Sequence, residues 1–138
     1  TVIPAGDDFV SGRMAWGTKT GDVVTSYGLA KAGPGQVFYV TDAYQQRTYS
    51  AAVDSDGTLS HLKLFAEQGG DSAAEDREGN VYIAAGQVLV YDRSGKRLGA
   101  LDVPERPIDV VFGGGDGRTL FILTHHSLYA IRTRAGAS

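Results

Sequence analysis

Cysteine is absent from this 138-residue chain, which excludes a disulfide framework, a thiolate nucleophile and a cysteine-based zinc site. Long apolar runs are absent too: nothing approaches the roughly 20 residues that a membrane-spanning helix needs. No basic block stands out, because 13 lysines and arginines are interspersed with 16 aspartates and glutamates for a net charge of -3, which argues against a nucleic-acid footprint. The opening "TVIPAGDDF" has neither an initiator methionine nor the basic end and apolar stretch of a secretory signal. The expectation is therefore a processed, trimmed or fragmentary chain. Its compartment stays open, with the cytoplasm favoured over a secreted setting. Also lacking is any apolar stripe at i, i+3, i+4, i+7 sustained over three turns, so helices are not expected.

Glycine is plentiful, and its 19 copies are spaced rather than clumped. In "AGPGQVFYVTD" (32–42), "DREGNVYIAAG" (76–86) and "GGDGRTLFILTHH" (114–126), a turn ending in Gly35, Gly79 or Gly117 leads into an aromatic-aliphatic strand. A second series, "WGTKTGDVV" (16–24), "AVDSDGTLS" (52–60) and "VYDRSGKRL" (90–98), has turn glycines Gly21, Gly57 and Gly95 spaced 36 and 38 residues apart. Asp-Gly and Ser-Gly between short alternating runs are hairpin signals, since glycine supplies the positive φ such turns require. Two interleaved hairpin series sharing one period predict an all-β chain of β-propeller blades, each a four-stranded antiparallel sheet.

The expected blades are residues 28–66, 69–105 and 106–134, with residues 9–26 as the outer strands of a preceding one. About three and a half blades leave broad apolar faces in water, which a soluble monomer does not sustain. A partner is therefore expected to complete the ring: an N-terminal half, a second polypeptide or another copy of this chain. No nucleic-acid or membrane partner is expected.

The runs "YVTD", "DSDGTLS", "EGNVYIAAG", "ERPIDVVFGG" and "DGRTLFI" occur in an order and spacing that resemble the C-terminal half of the SMP-30/gluconolactonase family. The resemblance covers roughly residues 26–133 and implies about half of a six-bladed propeller with a divalent cation in its central tunnel. It also implies lactone hydrolysis. Family members carry Asp-Gly where this chain has Asp71-Ser72, so Asp71 is implied as metal ligand and general base, with Ser72 departing from the glycine. The implied ion is calcium, with magnesium or zinc as alternatives, and oxygen donors suit a hard cation. The family's second ligand, an asparagine, aligns with Tyr27, which is implied to shape a substrate pocket instead. Its third, a glutamate, belongs to a first blade that this chain does not contain.

Other residues compete for a role at the same end of the blades. Asp42 ends "YVTD", where it lines the mouth or caps the next turn. Asp109 opens the last blade much as Asp71 opens its own. His125 and His126, at a hairpin tip, are candidates for substrate or metal contact, against the plainer reading of exposed turn residues. Glu75 sits where an apolar strand residue is usual and brings a second carboxylate toward the tunnel. Asp71 itself has a plain alternative, capping a Gly-Gly turn. His61 reads as an outer-strand surface residue, and Asp54 and Asp92 read as turn residues. Thr1 stands apart: a processed N-terminal threonine holds its own amine beside its hydroxyl, the arrangement of N-terminal-nucleophile hydrolases. Three functions follow: a metal-assisted lactone hydrolase, a non-catalytic propeller that binds or scaffolds over a degenerate ion site, or a two-chain hydrolase using Thr1.

Overall fold

The computed structural model describes Gly28–Leu29, Ala32 and residues 34–137, and every element in it is a strand. Strands β1 (Gly28–Leu29), β2 (Val37–Asp42), β3 (Arg47–Val53) and β4 (Leu59–Ala66) form a first four-stranded sheet. Strands β5 (Ser72–Glu75), β6 (Val81–Ala85), β7 (Gln87–Tyr91) and β8 (Arg97–Leu101) form a second. A third sheet has three strands, β9 (Pro107–Gly113), β10 (Thr119–Thr124) and β11 (Leu128–Arg132). Within each sheet the strands are antiparallel and follow chain order. The first strands lie together, β5 against both β1 and β9, so the three meanders are propeller blades that meet at their inner edges. The partial blade expected over residues 9–26 lies outside the described residues. The third sheet differs from the four-stranded expectation, because β11 has no outer neighbour among the described residues.

The glycine spacing translates directly into turns. Gly35, Gly57, Gly79, Gly95 and Gly117 all have φ between +70 and +87, the left-handed region that costs glycine nothing. The Asp-x-x-Gly turns repeat: the amides of Gly57, Gly79 and Gly95 donate to the carbonyls of Asp54, Asp76 and Asp92 at 2.9, 3.0 and 2.9 Å. Asp92 Oδ1 also accepts the amides of Ser94 and Lys96, a local cap that defines the hairpin. Asp76 is the buried version of this turn. Its oxygens take the Glu78 and Asn80 amides, the Asn80 side-chain amide and the Tyr82 hydroxyl, so its charge is fully solvated by the protein.

Burial explains the run "VYIAA" in β6. Val81 and Ile83 face a cluster with Tyr39, Ala66, Ala73, Leu89 and Tyr91, between the first and second sheets. Tyr82 and Ala84 face the opposite way, into Val88, Val103, Val110, Leu120 and Ile122, between the second and third. A blade with a neighbour on each side needs apolar residues at every position, not at alternate ones. Edge-to-face ring pairs reinforce both layers, Tyr39 with Phe65 at 4.9 Å and Tyr82 with Phe112 at 5.3 Å. At the end remote from Asp71 the C-terminal segment ties two blades together. There the Arg77 amide donates to the Gly136 carbonyl, and the Ala137 amide to that of Gly117.

Among the described residues no strand packs on the far face of the third sheet. Val111 lies beside Phe121, and Phe121 beside Ala130; Leu123 lies beside both Asp109 and Leu128. Of these Val111, Leu123 and Leu128 are 57%, 44% and 66% exposed, a row of apolar side chains of the kind that packs against a further blade elsewhere in the molecule. Among the described residues no helix is long and apolar enough to cross a membrane.

Candidate active site

The stretch "GGD" at residues 69–71 enters the second blade at its inner edge, and both glycines are there for space. A Cβ on Gly69 would overlap the Asp42 carbonyl oxygen, and one on Gly70 would overlap that of Ala84. The backbone is tied at the same point. The Gly70 amide donates to Thr41 Oγ1 at 2.8 Å, and the Asp71 amide to the Ala84 carbonyl at 2.8 Å. Thr48 donates its hydroxyl proton to the Gln68 carbonyl at 2.7 Å, which leaves Thr41 to donate to Thr48 across 2.9 Å. Both threonines are fully buried, so this chain of donors pins the segment from beneath. Asp71 is thus held by its main chain, while its side chain is 29% exposed at the head of the inner strand.

One cation meets it. Arg106 Nη2 lies 3.5 Å from Asp71 Oδ2, across from the loop that leads into β9. The sequence reading missed Arg106, because its 35-residue separation from Asp71 carries no local signal. The available clue was its place directly before the proline that opens an inner strand. Asp109, exposed on β9, accepts the Ser72 hydroxyl and the Val110 amide at Oδ1. Ser72, the residue standing where the resembled motif has glycine, therefore orients a second carboxylate of the neighbouring blade.

The remaining candidates separate. Asp42 is fully buried, and its Oδ1 caps the following turn through the Tyr44 and Gln45 amides at 2.8 and 2.9 Å. Its Oδ2 is buried and has no hydrogen-bond partner among the described residues. His125 and His126 form the β10–β11 turn, at the same end of the blades as Asp71 because β10 runs antiparallel to β9. They sit beyond the second strand of their sheet, hence roughly 5–10 Å outward from β9 at the usual strand spacing. His126 Nδ1 lies 3.4 Å from Glu105 Oε1 with the imidazole 84% exposed. Hydrogen bonds from Ser127 and Tyr129, in that order of weight, hold the Glu105 carboxyl below the usual range. His61 is exposed on β4, beside the Ser60 hydroxyl. Thr1 and Tyr27 lie outside the described residues.

Glu75 lies at the opposite end of β5 from Asp71, in the layer of Tyr39 and Arg93. Burial first, and the charge of Asp76 second, raise its carboxyl above the usual range, with Arg93 opposing. A raised acid is a stability statement. Its penalty is nil below the unfolded-state value, grows as pH rises through the folded value and is constant above it. Glu75→Gln is therefore expected to unfold at higher urea than the parent at about pH 7, with the difference vanishing near about pH 3. An equal difference at both pH values would assign the effect to packing rather than to charge.

Two of the cavities among the described residues bear on these side chains. The larger, about 400 Å³, lies between β8 and β11, around Asp76, Leu98 and Ile131, away from Asp71. The smaller, about 230 Å³, opens beside the Asp71 strand between Gly69, Gly70, Gly86 and Arg106. Among the described residues no three histidine, cysteine, aspartate or glutamate side chains gather as a metal cluster. Asp71 nevertheless has the chemistry a hard dication takes, an oxygen donor at an accessible inner edge.

Comparisons with known proteins agree with this architecture. A family model described as the SMP-30/gluconolactonase/LRE-like region matches residues 14–126. Pentonolactonase XacC of Haloferax volcanii is 33% identical over 97 residues, which cover 63% of this chain and 33% of that protein. The solved gluconolactonase of Xanthomonas campestris is 26% identical with a TM-score of 0.69, over 80% of this chain and 38% of that one. A calcium-binding regucalcin of Agrobacterium tumefaciens shares the fold at a TM-score of 0.68 and 18% identity, over 80% of this chain and 46% of that one. The chain thus spans between a third and a half of the proteins it resembles.

Proposed function

Because this chain belongs to the SMP-30/gluconolactonase/LRE-like family, we propose that it supplies half of a six-bladed propeller that hydrolyses a lactone at its tunnel mouth. The observation that carries this reading is Asp71. Its main chain is fixed by two glycines with no room for a side chain, and its carboxylate is left accessible at the inner edge. Fixed geometry with a solvent-accessible carboxylate is what a general base requires. Asp71 accepts a proton from the attacking water as the water's oxygen bonds to the lactone carbonyl carbon. The acyl–oxygen bond then breaks, and the ring oxygen takes a proton to become a hydroxyl. Asp71 would also hold a divalent ion, calcium, magnesium or zinc, with the rest of the coordination coming from water and from the residues that complete the ring. When bound, such an ion supplies Lewis acidity at the carbonyl. The names of the pentonolactonase and gluconolactonase relatives support the reaction class.

The completing partner is an N-terminal half, as a separate polypeptide or a preceding segment, or else a second copy of this chain. The uncovered row Val111, Leu123 and Leu128 supports such a partner. The test is hydrolysis of a panel of sugar lactones by the intact protein, before and after chelation and after re-addition of calcium, magnesium or zinc. Turnover lost on chelation and restored by one ion is the expected result. Turnover indifferent to chelator would remove the ion from the mechanism, and no turnover of any lactone would leave the binding or scaffold reading.

A further inference from the structure

Arg106 is the one charged residue among the described residues that line the 230 Å³ cavity beside Asp71. The walls around it are backbone of Gly69, Gly70 and Gly86 with the amide side chain of Gln46, a surface that offers dipoles but no competing charge. Arg106 has an exposed side chain but an anchored backbone. Pro107, which follows it, is fully buried at the start of β9, and a residue before proline is confined to extended conformations. Glu105, which precedes it, is held by the hydroxyls of Thr124 and Tyr129. The guanidinium, 64% exposed, therefore extends from a fixed point, and its ion pair at 3.5 Å to Asp71 leaves most of its five N–H donors, among the described residues, for another acceptor.

A chain of net charge -3 with a carboxylate at its mouth would repel an anionic substrate unless a cation stood there. Arg106 is placed to offset Asp71 and to offer a planar fork to a second carboxylate. We propose that Arg106 and this cavity form a subsite for an anionic substituent, so that the preferred substrate is a lactone that itself carries a carboxylate, the lactone of a sugar dicarboxylic acid. The proposal rests on the lactonase reading for its reaction. Water adds across the acyl–oxygen bond, the ring oxygen leaves as a hydroxyl, and the product is the open dicarboxylate, with one proton released.

The experiment compares kcat/KM of the intact protein for such a charged lactone and for a neutral lactone of the same ring size, in the parent, Arg106→Gln and Arg106→Lys. The parent is expected to prefer the charged lactone by about tenfold or more, as one charge-assisted pair allows, and the preference should shrink with added salt. Arg106→Gln should lower the charged-to-neutral ratio by about tenfold and Arg106→Lys by less, because lysine keeps the charge and loses the fork. Absence of preference in the parent, or an equal fall for both lactones in Arg106→Gln, would overturn the subsite. Should neither lactone be hydrolysed, the lactonase reading fails and calorimetric titration with an open sugar dicarboxylate decides the subsite alone. Binding that Arg106→Gln abolishes supports the subsite, and no binding to the parent overturns it. Thermal melts confirm that both variants are folded.

Discussion

Asp71→Asn is expected to lower kcat for lactone hydrolysis by about 10²–10⁴, the usual worth of a positioned general base. Asparagine keeps the shape of the side chain and cannot accept the water's proton at neutral pH. The backbone that places residue 71 is untouched, since the hydrogen bond from its amide to the Ala84 carbonyl and the two preceding glycines remain. Stability should barely change. The ion pair it breaks spans 3.5 Å to a mostly exposed guanidinium, and such surface pairs contribute roughly 0–1 kcal/mol. The informative measurement is therefore the pair of results, turnover beside a urea unfolding curve. Loss of activity with a parental unfolding midpoint assigns chemistry to Asp71. Full activity in the variant would return this residue to the role of a turn aspartate.

Gly70→Ala should act through the fold and carry the site with it. Its Cβ would collide with the Ala84 carbonyl and approach the Ile83 Cγ2 methyl at 2.9 Å, and Ile83 is completely buried between two blades. A backbone carbonyl in a paired strand cannot rotate away, so β5 or β6 must move. Overpacking of this kind costs about 3 kcal/mol, toward the upper end of the usual range. For a chain of this size that is a fall in Tm on the order of 10 °C. Movement of β5 also displaces Asp71, so residual activity at low temperature should fall below what the folded fraction explains. Gly99→Ala is the control. It lies on exposed β8 with nothing near its absent Cβ and should shift stability by no more than about 0.5 kcal/mol. Equal melting of the two variants would mean that the close approach at Gly70 does not govern the blade.

How much of this was legible beforehand differs by residue. The turns were, because Gly57, Gly79 and Gly95 occupy positions where an L-residue is strained, and Asp before them leaves a local mark. The two-faced burial of β6 showed as an unbroken apolar run. Asp71 was reached through the motif resemblance, beside the plainer reading of a cap on a Gly-Gly turn. The reasons for its neighbours were not legible: Gly70 is glycine because of Ala84, fourteen residues later, and Ser72 meets Asp109 across 37 positions. Asp42 shared the expected end of the blades, yet its Oδ1 is spent on its own turn. The histidine pair likewise lies at that end and is set outward by the strand order.

By itself, then, the sequence determined what local chemistry can encode: strands by their apolar runs, turns by glycine and aspartate, and a blade order by their repetition. Only the tertiary structure decided which of these residues share a site. The pairing of Arg106 with Asp71, the bond from the Gly70 amide to Thr41 and the bond from Ser72 to Asp109 arise from contacts between blades. Such contacts join residues dozens of positions apart, so no short-range pattern of hydropathy or turn formation records them.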